Sequence, residues 1–252
     1  MKIGVVADDI TGADDIGICF AKGGARAIIY SYAENMPALS KKEIENYQAD
    51  VIIIDTNSRF DNKEESYNKV FKATKILIEF GVDLLFKKSC SVFRGNIGSE
   101  FDAMLDASEN TSAAIVLGYP QNGRTTINGV HYVNGIKLEL TQFANDPIHP
   151  MKKSNLKEIL ACQTQRFINN VFYEEYNDPV RLKNKILTAS ESGYSIYDVS
   201  DDNDVIFLAD ILKNEKVQTK NYSKKRISRK YFNLAISYCA YLWTAREWLP
   251  AS

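Results

Sequence analysis

The chain is poor in cysteine and histidine. Its 252 residues include four cysteines and two histidines. The cysteines, at positions 19, 90, 162 and 239, are far apart and form no CxxC pair. Zinc sites and disulfide frameworks need several cysteines at suitable spacing, so the sequence argues against both. Separated thiols are typical of a reducing compartment, and we expect a cytoplasmic protein without a metal site.

Long hydrophobic runs and an excess of charge are also missing. No apolar run is long enough to cross a bilayer, and the first residues, MKIGVVADD, turn acidic too early for a signal peptide. A net charge of -1 gives no general attraction to nucleic acid or to a membrane surface. We therefore expect neither as a partner, and any anion site has to be local.

An alternation of strand and helix patterns fills most of the chain. Apolar, β-branched runs begin near residues 2, 25, 49, 82, 112 and 193, and amphipathic helical patterns separate several of them. This pattern predicts an α/β fold with a largely parallel, Rossmann-like sheet that helices cover on both faces. Residues 121–140 interrupt it with two Asn-Gly pairs around VHYV, which predict a β-hairpin excursion.

Two acids follow the first predicted strand, in the stretch VVADDITGADD. Asp8 and Asp9 stand where that strand ends, and open α/β sheets bind ligands at the carboxyl ends of their strands. Carboxylates in this place can orient a hydroxyl, accept a proton or hold Mg²⁺. A helix cap with a solvated neighbour explains the same acids equally well. Asp8 and Asp9 are the candidate catalytic residues.

Basic and small residues follow two further predicted strands. Arg59, in DTNSR, suits bidentate binding of a carboxylate, although a surface arginine in a turn explains the segment as well. In KKSCSVFRGNIGSEFDAML, Lys87 and Lys88 end a strand and point to opposite sides of the sheet, so we expect only Lys88 to face the crevice. Glycines and free amides before the next helix favour an anion. The candidate binding residues of this loop are Lys88, Ser91, Arg94, Gly95 and Asn96.

The predicted hairpin carries two more candidates for substrate binding. Arg124 and His131 lie on QNGRTTINGVHYVNG, which can fold over the crevice. A lone histidine is more often structural than catalytic, so both functions stay open for His131.

Four segments in this order resemble the N-terminal domain of the four-carbon acid sugar kinase family. They are VADDITGAD, DTNSR, KKSCSVFRGNIGSEFDAML and NGRTTINGVHYVNGIKLELTQFANDPIHPM. The resemblance implies a kinase that phosphorylates a threonate-like or erythronate-like sugar acid with ATP and Mg²⁺. Its N-terminal domain would hold the small anionic substrate, and a C-terminal domain would hold the nucleotide. The implied sugar-acid site comprises Asp8, Asp9, Arg59, Lys88, Ser91, Arg94, Gly95 and Asn96, with Arg124 and His131 on the matching hairpin.

The sequence departs from the family pattern in two places. Cys90 precedes Ser91 where many members have an aspartate, which bears on substrate preference. Residues 1–215 correspond to the sugar-acid-binding domain, but 216–252 form an atypical tail, so we expect the nucleotide-binding domain to be missing. A truncated gene, a frameshifted tail and a separate nucleotide-domain chain each explain this tail, and a homo-oligomer stays open.

Two other functions are compatible with the residues. One is a non-catalytic module that binds an acid sugar, and the other is an unrelated α/β enzyme that uses the aspartate pair with Mg²⁺. A Gly-rich ATP domain in an adjacent reading frame favours the kinase over the binding module. Metal-dependent turnover without ATP identifies the unrelated enzyme.

Overall fold

The structure, a computed structural model, describes residues 2–34, 44–178, 193–215 and 240–244 and the single residues 42, 180, 182 and 185. Within these residues the strands are β1 (Ile3–Ala7), β2 (Ala27–Ser31), β3 (Val51–Asp55), β4 (Leu84–Ser89), β5 (Ser112–Val116), β6 (Arg124–Ile127), β7 (Val130–Val133), β8 (Ile136–Lys137), β9 (Ile168–Val171), β10 (Gly193–Tyr197) and β11 (Ala240–Thr244). The helices are α1 (Ile10–Lys22), α2 (Lys63–Glu79), α3 (Ile97–Ser108), α4 (Leu156–Ala161) and α5 (Asp202–Glu215). Short 3-10 turns cover Pro120–Asn122, Leu138–Leu140, Gln142–Asn145 and Tyr173–Asn177.

The described strands form a mixed but mainly parallel sheet, as the sequence predicts. Its order is β2-β3-β1-β4-β11-β5-β10-β9. All pairings are parallel except those of β11, which runs antiparallel to both β4 and β5. β1 lies between β3 and β4, with Ala7 opposite both Asp55 and Lys88. The three chain segments that leave these strands therefore begin side by side.

Helices cover both faces of the sheet, which confirms the predicted fold class. α2 and α3 bury Val70, Leu77, Phe101 and Met104 on one face. α1 and α5 bury their apolar residues on the other face, including Ile16, Phe20, Val205 and Leu208. Burial of each apolar stripe stabilises the layers through the hydrophobic effect.

The excursion after β5 forms a second, three-stranded sheet of β6, β7 and β8. Asn128-Gly129 and Asn134-Gly135 make its two turns, and all four residues have positive φ, between 52° and 77°. Asn-Gly pairs adopt this conformation at low cost, so the predicted hairpin is confirmed and extends by one short strand.

Two strands lie outside the predicted pattern. β9, with the sequence INNV, has two polar residues in four and no alternation that marks it as a strand. β11 lies within the range 216–252 that the sequence analysis treats as a tail, and its backbone pairs in the sheet between β4 and β5. The remainder of that range lies outside the described residues, and the domain boundary at residue 215 stays a prediction. No described helix combines the length and apolar character that crossing a membrane requires.

Candidate functional site

Three predicted binding segments meet at the carboxyl edge of β1, β3 and β4. The Asp8 amide donates to the Lys88 carbonyl oxygen at 3.2 Å, and the Asp8 carbonyl oxygen accepts from the amides of Ser58 and Arg59 at 3.0 and 3.2 Å. These backbone bonds extend the strand pairing by one residue and place the acids, DTNSR and the end of β4 next to one another. The edge is where ligands bind in open α/β sheets.

A guanidinium and two carboxylates form the centre of this edge. Arg59 donates from Nε and Nη2 to the two oxygens of Asp8, at 2.8 and 2.9 Å, and its Nη1 pairs with Asp9. The Asp9 carboxylate also caps α1 by accepting from the Gly12 amide at 2.7 Å. The side chain of Asp8 is 1% exposed and that of Asp9 is 21% exposed. Asp9 is therefore the acid of this pair that a ligand can reach.

Electrostatics keeps the buried acid ionised. Burial acts to raise the pKa of Asp8, but the charges of Lys87, Arg59 and Lys88 and the hydrogen bonds from Arg59 outweigh it, so the pKa lies below its ordinary value. The pKa of Arg59 is raised because the charge of Asp8 and its hydrogen bonds outweigh the opposing effect of burial. Asp8 and Arg59 are therefore both charged at physiological pH.

The two lysines at the end of β4 point to opposite faces, as strand alternation predicts. Lys87 is fully buried and its Nζ lies 2.8 Å from a carboxylate oxygen of Glu100 on α3. Lys88 faces α1, where its Nζ lies 3.3 Å from the position a Cβ would take at Gly12. Lys88 is thus the lysine on the side of Asp9.

Arg94 lies in the loop between β4 and α3, and one of its guanidinium nitrogens has no hydrogen-bond partner among the described residues. Its Nε donates to Cys90 Sγ at 3.3 Å, its Nη1 pairs with Asp146, and its guanidinium stacks 5.2 Å from the Phe143 ring centroid. Its Nη2 makes no hydrogen bond to the described residues, and the side chain is 23% exposed. Burial acts to lower the pKa of Arg94, but Cys90 and Asp146 raise it above its usual value.

The other candidates of this loop support its conformation. Gly95 has φ of 104°, a region that favours glycine, and a Cβ there would lie 3.4 Å from Arg59 Cγ. Asn96 precedes α3 and donates from Nδ2 to the Asp61 carbonyl oxygen at 2.7 Å, which links the loop to the segment after Arg59. Ser91 is half-buried beside the hairpin.

The two hairpin candidates occupy different environments. His131 is fully buried, and its Nδ1 lies 3.0 Å from Thr126 Oγ1. Burial lowers the pKa of His131 to about 3 against the opposing effect of the Ser91 backbone, so the ring is neutral at physiological pH. Arg124 lies at the start of β6, where its Nη1 donates to the Asn122 carbonyl oxygen. Neither side chain contacts the Arg59 group through the hydrogen bonds of the described residues.

Sequence reasoning missed two residues that reach this edge from the loop after the hairpin. Asp146 accepts from the amides of Ile148 and His149 at 3.1 and 2.8 Å and pairs with Arg94. His149 Nε2 hydrogen-bonds the Arg59 carbonyl oxygen at 2.7 Å, and its ring stacks on Phe60. The Asp-Pro pair in NDPIHP is a turn signal. The turn signal does not indicate which arginines the turn contacts.

Two cavities lie near the described helices. One of about 340 Å³ opens between the segment 93–95 and the segment 148–153, directly beside the Arg94 loop. A second, of about 540 Å³, lies between α2, α3 and the segment 162–166. Its acids, Asp102 and Asp106, already pair with Arg166 and accept from Thr164 and Tyr67, which leaves few polar groups for a ligand.

The aspartate pair does not fit a magnesium site. Mg²⁺ needs carboxylate oxygens that are free to enter an octahedral shell. Both oxygens of Asp8 bind Arg59, and those of Asp9 bind Arg59 and the Gly12 amide. In the described ranges no three side chains of His, Cys, Asp or Glu group as metal ligands. Because Arg59 and the Gly12 amide occupy their oxygens, the two aspartates present no pair of free carboxylates to a metal ion.

Comparison with known protein families shows to which family the chain belongs. Residues 3–223 match the sequence profile described as "Sugar-binding N-terminal domain". The chain belongs to this family. Among the curated relatives of this sugar-binding domain are the D-threonate kinase of Salmonella typhimurium and the 3-oxo-tetronate kinase of Actinobacillus succinogenes. The first is 38% identical over 69% of the chain and 40% of the relative, and the second is 30% identical over 87% and 53%.

Solved structures share the fold of the sugar-binding domain. A Haemophilus influenzae protein superposes with a TM-score of 0.76 at 26% identity, covering 93% of this chain and 55% of that protein. A domain from Bordetella bronchiseptica, solved with bound citrate as a domain-swapped dimer, gives 0.70 at 28% identity over 84% and 50%. The curated relatives act on four-carbon acid sugars, and this chain corresponds to their N-terminal region. It spans about half or less of the length of the relatives it matches.

Proposed function

We propose that the sugar-binding domain holds a four-carbon acid sugar at the carboxyl edge of β1, β3 and β4, as the substrate half of an ATP-dependent kinase. One observation carries the proposal: the open Nη2 of Arg94 and the partly exposed carboxylate of Asp9 lie on loops that meet at this edge. A cationic donor and an anionic acceptor together match a molecule that carries both a carboxylate and hydroxyl groups.

Arg94 binds the ligand carboxylate in this proposal. Its guanidinium is held by Cys90, Asp146 and the Phe143 ring, so little conformational entropy is lost when a ligand binds. Charge-assisted hydrogen bonds from such a preorganised donor contribute about 1.5–3 kcal/mol. The relative solved with citrate supports a carboxylate ligand for this fold. Lys88 adds positive charge on the α1 side of the same edge.

Asp9 accepts a hydrogen bond from a ligand hydroxyl, and Asp8 orients Arg59. In phosphoryl transfer a carboxylate that accepts the hydroxyl proton acts mainly by positioning the nucleophile. The two oxygens of Asp8 are occupied by Arg59 and buried, whereas Asp9 is reachable. Of the two predicted catalytic acids, Asp9 is therefore the one we assign to contact with the substrate.

ATP and Mg²⁺ are the cosubstrate and metal of the proposed reaction. The described residues present no open carboxylate cluster for the metal, and we place both outside the substrate edge, on a nucleotide-binding part of the whole protein or on a separate chain. A homo-oligomer is also proposed, since one relative is described as a domain-swapped dimer.

A thermal-shift panel tests the ligand class. Ligands that bind the folded state raise the melting temperature. D-threonate and D-erythronate should raise it in a concentration-dependent way, and their uncharged lactones should raise it less. Equal shifts for acids and lactones would show that no carboxylate is recognised, and no shift with any of them would remove the proposal.

A further inference from the structure

A fully buried ion pair lies directly beneath the candidate site. Lys87 and Glu100 are each 0% exposed, and Lys87 Nζ lies 2.8 Å from Glu100 Oε2. Lys87 Nζ also lies 3.1 Å from the Lys88 carbonyl oxygen and 3.4 Å from Ser89 Oγ. Neither side chain reaches a ligand, so the proposed substrate contacts do not use this pair.

Both partners of the pair connect to the residues that build the site. The other oxygen of Glu100 accepts from Ser58 Oγ at 2.6 Å. Ser58 immediately precedes Arg59, and the amides of both residues donate to the Asp8 carbonyl oxygen. On the other side, the Lys88 carbonyl oxygen that Lys87 binds also accepts from the Asp8 amide. The pair thus holds the two chain segments that flank Asp8.

Stability alone does not account for this arrangement. Burying a charged pair seldom stabilises a fold more than apolar side chains of similar size do. The face of the sheet that α3 covers is apolar, with Phe93, Phe101 and Leu105 in one buried cluster. A methionine and a leucine would fill the same volume there without a desolvation penalty.

We propose that Lys87 and Glu100 are positioning residues of the sugar-acid site. Glu100 holds Ser58 and so sets where the Arg59 guanidinium lies, while Lys87 holds the Lys88 carbonyl and places its positive charge behind Asp8. Together they fix the Arg59–Asp8–Asp9 group in the geometry that a ligand meets. Only the identity of the ligand rests on the proposed function; the positioning of Arg59 does not.

The test removes the pair without leaving an unpaired charge. In the double variant Lys87→Met, Glu100→Leu, two readouts are taken on the folded domain: the ¹H–¹⁵N resonance of Arg59 Nε, and the dissociation constant for D-threonate. We expect a cooperative melt, a displaced or exchange-broadened Arg59 resonance, and a dissociation constant raised about tenfold or more. A well-folded double variant with the wild-type resonance and affinity would overturn the proposal.

A matched control and a milder variant keep the result interpretable. Arg166→Leu with Asp106→Leu removes an ion pair that involves the same helix α3 but lies away from Ser58. Asp102 loses its pairing with Arg166 but keeps the hydrogen bonds from Thr164 and Tyr194, and neither readout should change. If the double variant does not fold, Ser58→Ala removes the hydrogen bond to Glu100, together with the one between Ser58 Oγ and Thr56 Oγ1. It should displace the Arg59 resonance, and an unmoved resonance there would also overturn the proposal.

The dissociation constant and the Arg59 resonance test different claims. If wild-type domain binds neither D-threonate nor D-erythronate, the proposed function is wrong. The Arg59 resonance then decides the positioning role alone, because it needs no ligand.

Discussion

Arg59 binds both oxygens of Asp8, through Nε at 2.8 Å and Nη2 at 2.9 Å, and pairs with Asp9 through Nη1. Each of its three nitrogens therefore already donates to a protein carboxylate. Arg94 differs, since its Nη2 makes no hydrogen bond to the described part of the chain. Of the three arginines predicted to bind substrate, we therefore propose that Arg59 orders the two aspartates and that Arg94 binds the anion.

Replacing Arg94 by lysine should weaken binding of the sugar acid while the fold stays intact. An ammonium group cannot keep the Asp146 and Cys90 contacts and also offer a planar donor to the ligand. Losing one charge-assisted hydrogen bond costs about 1.5–3 kcal/mol, which corresponds to about tenfold or more in affinity. Calorimetric titration of Arg94→Lys with D-threonate measures this, with Arg166→Lys as a control on another ion pair. An unchanged dissociation constant in Arg94→Lys would mean that Arg94 is structural.

Asp146 holds the Arg94 guanidinium through Nη1, and its negative charge also opposes the approach of an anionic ligand. Asp146→Asn keeps an oxygen for the amides of Ile148 and His149 but removes the negative charge beside the guanidinium. We expect tighter binding of the acid and no change for the lactone, because only the acid gains from the missing carboxylate. Parallel titrations measure both constants. Weaker binding of the acid would show that holding Arg94 in place matters more than this charge repulsion.

A single methyl group at Gly12 should disturb the α1 side of the site. A Cβ there would lie 2.8 Å from Asp9 Oδ1 and 3.3 Å from Lys88 Nζ, so both groups have to move. Gly17→Ala, on the same helix α1, is the control. A Cβ at Gly17 would meet only the side chains of Ile29 and Ile53, which lie on strands β2 and β3. Alanine favours helix over glycine by about 1 kcal/mol in both variants. We expect lower affinity for D-threonate in Gly12→Ala alone, and equal affinities would exclude Asp9 and Lys88 from the binding surface.

The pH dependence of stability should carry the signature of Asp8. Its native pKa is depressed, so its contribution to stability is present above the unfolded value of 3.8 and is lost as pH falls through the native value. Breaking a buried pair costs about 3–5 kcal/mol, so Asp8→Asn should lower the free energy of unfolding by about that much at pH 7. Urea unfolding at pH 7, 4 and 3 should show the difference from wild type shrinking below pH 3.8. A difference that is constant across this range would contradict the depressed pKa.

Local chemistry made part of the fold predictable. Asn128-Gly129 and Asn134-Gly135 form their turns because of backbone preference alone. The alternation of side chains along a strand correctly predicted that Lys87 and Lys88 point to opposite faces of the sheet. The positions of Asp8, Asp9 and Arg59 followed from the rule that ligands bind where parallel strands end. These inferences need only short stretches of sequence.

Long-range contacts were beyond the same reasoning. The pairing of Arg94 with Asp146 joins residues 52 positions apart, and the link from Ser58 to Glu100 joins residues 42 apart. Nothing in either segment specifies its partner. The strand β9 is too polar to be recognised alone, and β11 is identified only by the two strands that it pairs with. Which charges are already neutralised by the protein, and hence which arginine is open, depends on these contacts.

A crystal structure of the domain with D-threonate tests the central claim most directly. The account predicts the carboxylate of the ligand at hydrogen-bond distance from Arg94 Nη2 and a ligand hydroxyl donating to the Asp9 carboxylate, with the Arg59–Asp8 pair unbroken. A ligand seated instead in the cavity beside the segment 148–153, or between α2 and α3, with neither Arg94 nor Asp9 in contact, would contradict it.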